Sequence, residues 1–276
     1  MTNQDALFPE FTPPAPAAEP QTETKPGRYT GGKIIYETAG KAREYRELAA
    51  NLFTGCDHGC TYCYAPNVLQ RNRQEFHGTV KPRTDIIRLL GKDAEKCRQH
   101  GETRQVLLCF TCDPYSPAAS QTPVTRQAIQ VLHAAGLHVC TLTKGGTRAL
   151  RDLDLFTVAD SFATTLTSLD DATSLRWEPG AALPADRIEA LRRFHAAGIP
   201  TWVSLEPVLD PDETMEIICR TADAVDEFKV GVLNYHPRAR EIDWYRFARE
   251  VVGLLESLGK KHYIKQDLRK YLADRE

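Results

Sequence analysis

Asn51–Pro66 reads NLFTGCDHGCTYCYAP and sets Cys56, Cys60 and Cys63 in a CxxxCxxC spacing. Thiolates placed like this on one short loop can ligate three irons of a [4Fe–4S] cubane and leave the fourth without a protein ligand. Gly55 and Gly59 predict a tight wrap, because glycine tolerates positive φ. A structural zinc ion is the competing reading. It would need a fourth ligand, either His58 in the loop or Cys97 from elsewhere. A plain electron-transfer cluster fits less well, since it normally takes four cysteines.

Outward from this loop the chain alternates between strand-like and helix-like segments. Strands are expected at Ala50–Thr54, Val106–Thr111, His138–Lys144, Phe162–Thr167, Thr201–Glu206, Phe228–Asn234 and His262–Gln266. Helices are expected at Thr84–Gln99, Pro123–Ala135, Asp186–Ala197 and Pro211–Ala222. A last helix carries Trp244, Phe247, Ala248, Val251, Leu254, Leu255 and Leu258 on one face. Gly136 and Gly198 stand where C-terminal caps belong. Such alternation predicts a parallel α/β sheet with outer helices, as an open doubly wound sheet or as a barrel. Either architecture puts function at the carboxyl ends of the strands. The polar residues there are Asp113, Lys144, Thr165, Glu206 and Asn234.

Strand alternation sorts these residues by face. With Asp113 turned inward, Thr111 and Cys109 follow it; Lys144 takes Leu142 and Cys140; Glu206 takes Ser204 and Trp202. Cys109, Cys112 and Cys140 thereby become candidate catalytic thiols, although the Cys109/Cys112 pair also fits plain core packing.

The chain has 276 residues, with 42% hydrophobic, 26% charged and a net charge of −2, ordinary for a globular domain. That total gives no general grip on nucleic acid or anionic lipid. Two local basic segments, Arg71–Arg88 and Lys260–Lys270, are candidates for phosphate contacts. No apolar run is long enough to span a bilayer, and Met1–Glu10 lacks the basic start and apolar run of a secretory signal. A cytoplasmic location is expected, where the eight cysteines stay reduced. Residues 1–28 read as a disordered Pro/Ala-rich tail, and 29–276 as one folded domain.

The cysteine loop, with aromatic Tyr62 before the last cysteine, resembles the radical S-adenosylmethionine superfamily. The wider likeness is to its spore photoproduct lyase-like branch. It rests on TCDPYSP at Thr111–Pro117, LTKGG at Leu142–Gly146, TTLTSLD at Thr164–Asp170 and EPG at Glu178–Gly180, and it extends over roughly Lys33–Leu268. The resemblance implies an incomplete parallel (β/α)6 barrel with a C-terminal helix and strand extension. It implies a [4Fe–4S] cluster on Cys56, Cys60 and Cys63 that reductively cleaves S-adenosylmethionine. Thr111 and Asp113 would hold the cofactor's amino group, Lys144 its carboxylate or ribose side, and Thr165 a further contact. Tyr62 would pack on the cluster or stack on adenine, and Glu206 would complete the polar mouth. An electron donor such as flavodoxin or ferredoxin is implied, as is a nucleobase, nucleoside or nucleic acid substrate. A maturation factor acting on a protein, or a cluster carrier without turnover, are the alternatives. The spore lyase carries a hydrogen-donor cysteine three residues before the aspartate of its second strand. Counting back from Asp113, that position is Phe110 here.

Overall fold

The computed structural model describes Tyr29 and residues 31–273. The expected tail at 1–28 lies outside the described residues. A short strand β1 (Ile35–Glu37) runs antiparallel to β2 (Leu48–Ala50). From β2 every further strand is parallel to the one before it: β3 (Val106–Leu108), β4 (Val139–Thr143), β5 (Ser161–Thr165), β6 (Thr201–Leu205), β7 (Glu227–Val230) and β8 (Lys261–Ile264). The sheet order is β1-β2-β3-β4-β5-β6-β7-β8. Consecutive parallel neighbours joined by helices make a partial barrel.

Helices fill the crossovers. Between β2 and β3 lie α1 (Ala65–Val68), α2 (Arg73–Gly78) and α3 (Ile86–Gln99). Then come α4 (Val124–Ala134), a 3₁₀ coil at Gly146–Leu155, α5 (Asp171–Trp177), α6 (Pro184–Ala196), α7 (Pro211–Thr221), α8 (Trp244–Ser257) and α9 (Gln266–Arg269). The expected (β/α)6 unit is therefore β2 to β7, and α8 with β8 is the extension. The antiparallel edge strand β1 was not foreseen: IYE is too short for alternation to register.

The strands end earlier than expected, β7 at Val230 rather than Asn234 among them, and at β3 the reason is a side chain. β2 stops at Ala50 and β3 at Leu108, short of Thr54 and Thr111. The Asn51 side chain takes over, its Oδ1 accepting the amides of Phe110 and Thr111 at 2.8 Å each. These amides leave the ladder without being orphaned. Beyond Leu108 simple alternation no longer sorts the faces: Cys109, Thr111 and Asp113 come to the cavity at the barrel mouth as expected, and Phe110 and Cys112 come to it as well. Cys109 packs into the core between sheet and helices, while Phe110 turns to the barrel interior.

Outside the sheet, Phe162 of β5 stacks on Phe194 of α6 with centroids 3.9 Å apart, and Phe156 meets Phe194 edge-on at 4.9 Å. Inside, Ala49, Leu107, Cys140 and Ala163 surround Trp202. The small alanines leave room for that indole, so the barrel floor is packed rather than open. Trp202 Nε1 donates to Cys140 Sγ at 3.4 Å. Arg46 and Lys229 lie over the indole at 5.3 and 4.9 Å.

Lys229 is 5% exposed and has no carboxylate partner among the described residues. Its Nζ donates to the carbonyls of Glu44 and Tyr45 at 2.8 and 2.9 Å. Burial, with Arg46 adding to it, pushes its pKa down to about 8. The folded state then binds fewer protons than the unfolded chain between that value and the ordinary 10.5. The Lys229 contribution to stability therefore rises as pH climbs through this window, against the fall contributed by buried thiols whose pKa values are raised. In urea unfolding across it, the stability of the parent relative to Lys229→Met should increase with pH; a constant difference would contradict the assignment.

Candidate active site

The cysteine loop leaves β2 and is held by three other parts of the chain. From α2, Arg73 donates to the carbonyls of Cys63 (2.9 Å), Thr61 (2.7 Å) and Cys60, and His77 Nδ1 lies 2.8 Å from the Cys56 carbonyl. From the α5–α6 turn, Gly180 N donates to His58 O at 2.8 Å, and Trp177 O accepts from Thr61 N at 2.8 Å. Before α4, Ala118 N donates to Asp57 Oδ2 at 2.8 Å. Gly59 has φ +64°, as its turn requires. Gly55 serves a different purpose from the one expected. A Cβ there would lie 2.3 Å from Thr79 O and 2.6 Å from Phe76 O, so the position demands space rather than positive φ.

Cys56, Cys60 and Cys63 line one cavity of about 130 Å³ together with Tyr62, Thr111, Lys144 and Thr165. Burial raises all of their thiol pKa values, Cys60 to about 12 and Cys56 well above the usual range. Such thiols ionise when a metal's positive charge takes the place of the proton. Among the described residues no group of His, Cys, Asp or Glu converges as the ligands of a single ion do. Three cysteines of one loop on one cavity match a cubane, which takes one thiolate per iron and leaves one iron open, whereas structural zinc takes four protein ligands. The zinc reading also loses its nearest fourth ligand. His58 is 2% exposed, with Nδ1 3.0 Å from Gly180 O and Nε2 3.0 Å from Asp113 Oδ2. Cys97 is buried at the far side of α3, against Tyr29.

Asp113 does not present a free carboxylate to the cavity, as had been expected. Its Oδ1 accepts from Tyr115 N (2.8 Å) and Thr143 Oγ1 (2.6 Å); its Oδ2 accepts from Lys144 N (2.9 Å) and faces His58. Those four contacts use the capacity of a carboxylate. Burial alone would raise its pKa, but His58 and the hydrogen bonds outweigh that and hold it below the usual carboxylate range. Asp113 therefore positions the cysteine loop and the Lys144 backbone.

Lys144 does reach the cavity. No carboxylate lies within ion-pair distance of its Nζ among the described residues; the ammonium sits 5.7 Å from the Tyr62 ring centroid. Burial would lower its pKa, yet the nearby Cys60 and Glu178 outweigh it and the net direction is upward. The Tyr62 hydroxyl donates to Glu178, which is 1% exposed and ion-paired at 2.6 Å with Arg187, also 1% exposed. Arg187 donates from Nη1 to Thr165 O at 3.0 Å and from Nε to Ala182 O at 2.7 Å. One buried guanidinium thus braces the end of β5 and, through Glu178, the ring facing Lys144. Arg187 escaped the sequence reading. Its signal was a charged residue on the apolar stripe it shares with Ala190, Leu191 and Phe194 of α6.

The remaining expectations divide. Cys109 and Cys112 line the cavity; Cys112 Sγ lies 4.0 Å from Asn51 Oδ1, and burial raises the Cys109 thiol well above its usual value. Cys140 does not reach it, being fully buried in the floor under Trp202. Glu206 lies away from the cysteine cavity, its Oε2 accepting from Tyr45 OH at 2.5 Å and from Lys265. The basic segments are largely engaged within the fold: Arg73 on the loop, Arg71 on Thr54 O, Arg83 on Asn51 O at 3.3 Å, Lys260 on Val225 O at 3.1 Å, and Lys265 inside the barrel. Lys81 and Arg88 in the first segment and Lys261, Arg269 and Lys270 in the second remain exposed.

If the three thiols hold a cubane, anaerobic reconstitution should load about four irons per chain. Cys63→Ala should lose most of the visible absorption. Cys219→Ala, at an exposed cysteine outside the cavity, should keep it. Equal iron in the two variants would contradict the ligand set.

The geometry finds its counterpart among known proteins. An uncharacterized protein of Mycobacterium tuberculosis is 28% identical over 208 residues, 71% of this chain and 60% of its own length. An uncharacterized protein of Acidianus two-tailed virus is 27% identical over 199 residues, 67% of this chain and 64% of its own. The matched region thus spans less than two thirds of either relative. A mutant of spore photoproduct lyase shares the fold with TM-score 0.66 at 14% identity, covering 90% of this chain and 88% of that one. Streptococcus suis SuiB bound to S-adenosylmethionine gives 0.59 at 13% identity, covering 83% of this chain and 52% of that one. At such identities the likeness is one of fold. The Radical SAM superfamily profile matches residues 50–225, from the end of β2 to just before β7, and the chain belongs to that superfamily.

Proposed function

We propose that this protein is a radical enzyme that uses a [4Fe–4S] cluster and S-adenosylmethionine to abstract hydrogen from a nucleobase, nucleoside or nucleic acid. The observation that carries the reading is the cavity where Cys56, Cys60 and Cys63 face the unpaired ammonium of Lys144. When bound, the cluster supplies the electron that splits S-adenosylmethionine into methionine and a 5′-deoxyadenosyl radical. The chain's own residues bind and orient. Cys56, Cys60 and Cys63 would hold the cluster. Lys144 would pair with the methionine carboxylate, a charge-assisted contact in a partly desolvated site. The Thr111 and Thr165 side chains line the same cavity, and Tyr62 supplies an aromatic face fixed by Glu178. The closed floor under Trp202 leaves the cysteine side as the place where the chemistry is contained.

The choice of a base-bearing substrate draws on the likeness to spore photoproduct lyase complexed with a dinucleoside spore photoproduct, which shares the fold at TM-score 0.63 and 16% identity. The reaction itself should differ from that lyase. The hydrogen-donor position is occupied by Phe110, and Cys109, although it lines the cavity, stands one residue away from that position. A thiol donor has to lie close to the substrate radical, and a shift of one residue, about 3 Å, is enough to misplace it.

With dithionite, the reconstituted protein should form 5′-deoxyadenosine slowly even without substrate. Lys144→Ala should weaken S-adenosylmethionine binding by about 10-fold or more while retaining iron, since a hydrogen bond to a charged group contributes roughly 1.5–3 kcal/mol. Unchanged affinity would remove Lys144 from the cofactor site. The protein should also leave a dinucleoside spore photoproduct intact. Efficient conversion to two thymines would refute the distinction from the lyase and direct attention to Cys109 and Cys112.

A further inference from the structure

The proposed function leaves one group at the barrel mouth unexplained. Glu206 stands at the end of β6, next to Lys265 at the end of β8. Its Oε2 takes two donors, the Tyr45 hydroxyl at 2.5 Å and the Lys265 ammonium, and the lysine side chain is 1% exposed. Oε1 has no hydrogen-bond partner among the described residues and is not among the enclosed atoms. The Glu206 side chain is 19% exposed. At the end of β7, Gly231 makes room for it: a Cβ there would lie 2.5 Å from Oε1. One carboxylate oxygen is locked from behind and the other is left open.

An aromatic wall leads from the cysteine cavity to this carboxylate. Tyr64 and Phe110 both line the cavity, with their ring centroids 5.8 Å apart. Phe110 meets Tyr45 at 5.6 Å, and Tyr45 donates to Glu206. Tyr64 is 42% exposed, so the wall is open to an incoming ligand.

Charge narrows what that ligand is. Lys265 already neutralises Glu206, so a second cation would gain little and would meet a buried ammonium. An anion would meet the open oxygen Oε1. A neutral N–H donor suits both, and rings inclined at 70° and 48° to one another favour an aromatic ligand that meets them face-on or edge-on. We propose that Glu206 is a substrate-recognition residue, whose Oε1 accepts the ring N–H of an uncharged planar heterocycle packed against the inclined rings of Tyr45, Phe110 and Tyr64. This rests on the proposed function and adds the edge by which the substrate is read. Lys265 and Tyr45 are positioning residues, holding the carboxylate so that one oxygen faces outward.

The test uses ligands that differ by one proton on nitrogen. Uridine and inosine carry a ring N–H; 3-methyluridine and 1-methylinosine do not. Binding to the anaerobically reconstituted protein with S-adenosylmethionine is followed by saturation-transfer NMR at millimolar ligand. The N–H ligands should bind about 10- to 100-fold more tightly than their methylated partners, as a hydrogen bond to a charged acceptor predicts. In Glu206→Gln, Lys265 and Tyr45 hold the amide oxygen, so the NH2 faces the ligand and the preference should vanish. Equal binding of methylated and unmethylated ligands to the parent overturns the proposal, as does no binding of either N–H ligand, or a preference that survives in a folded Glu206→Gln. Should that variant fail to fold, the methylation pairs on the parent still decide. The failure of the radical reading is separately visible, as absence of 5′-deoxyadenosine from the parent protein.

Discussion

The buried carboxylate of Asp113 joins the parts from which the site is assembled. It receives Thr143 and the Lys144 amide from β4 and its exit, Tyr115 from its own loop, and faces His58 of the cysteine loop. With the α5–α6 turn, which bonds His58 through Gly180 and Lys144 through Ala182, it ties the loop bearing Cys56, Cys60 and Cys63 to the residue bearing the ammonium. A fully contacted carboxylate is also an expensive one to break. Removing it would leave buried donors from three segments unpaired, each at a cost of about 1–3 kcal/mol.

A second buried charge does the same for the opposite wall. Arg187 ties Thr165 at the end of β5 to Glu178, and Glu178 to the Tyr62 hydroxyl. Ion pairs in such surroundings add little net stability, because desolvation offsets most of the attraction. Their gain here is in position: they set the face that Tyr62 turns to Lys144. The third pair, Glu206–Lys265, repeats the arrangement on the strands farthest along the sheet from the cysteine loop. All three pairs lie at or beyond the carboxyl ends of parallel strands, where a half-closed barrel leaves its functional face.

The fold and the cysteine loop were legible in the sequence because their signals are local. Short apolar runs between helical patterns mark the strands, and Cys56, Cys60 and Cys63 announce themselves within one loop. Lys144 followed from strand parity on β4, which runs straight to its end. The failures cluster where a side chain replaced the backbone ladder. Asn51 draws the amides of Phe110 and Thr111 away from β3, so parity stops sorting faces beyond Leu108, and the whole run from Cys109 to Asp113 reaches the cavity. Pairs such as His58–Asp113 and Glu178–Arg187 unite residues far apart in sequence, and no spacing rule connects them. Glu206 was correctly turned inward by parity, but its partner Lys265 had been grouped with an exposed basic stretch. Alternation through Tyr263 and Lys265 already held the better answer.

The central claim is that the three thiolates leave one iron for S-adenosylmethionine beside Lys144. Electron paramagnetic resonance of the reduced, reconstituted protein, recorded with and without S-adenosylmethionine, tests it most directly. The account predicts a cluster signal whose shape and g-values change when S-adenosylmethionine is added, and a smaller change at the same concentration in Lys144→Ala. A cluster signal indifferent to S-adenosylmethionine in the parent protein would contradict it.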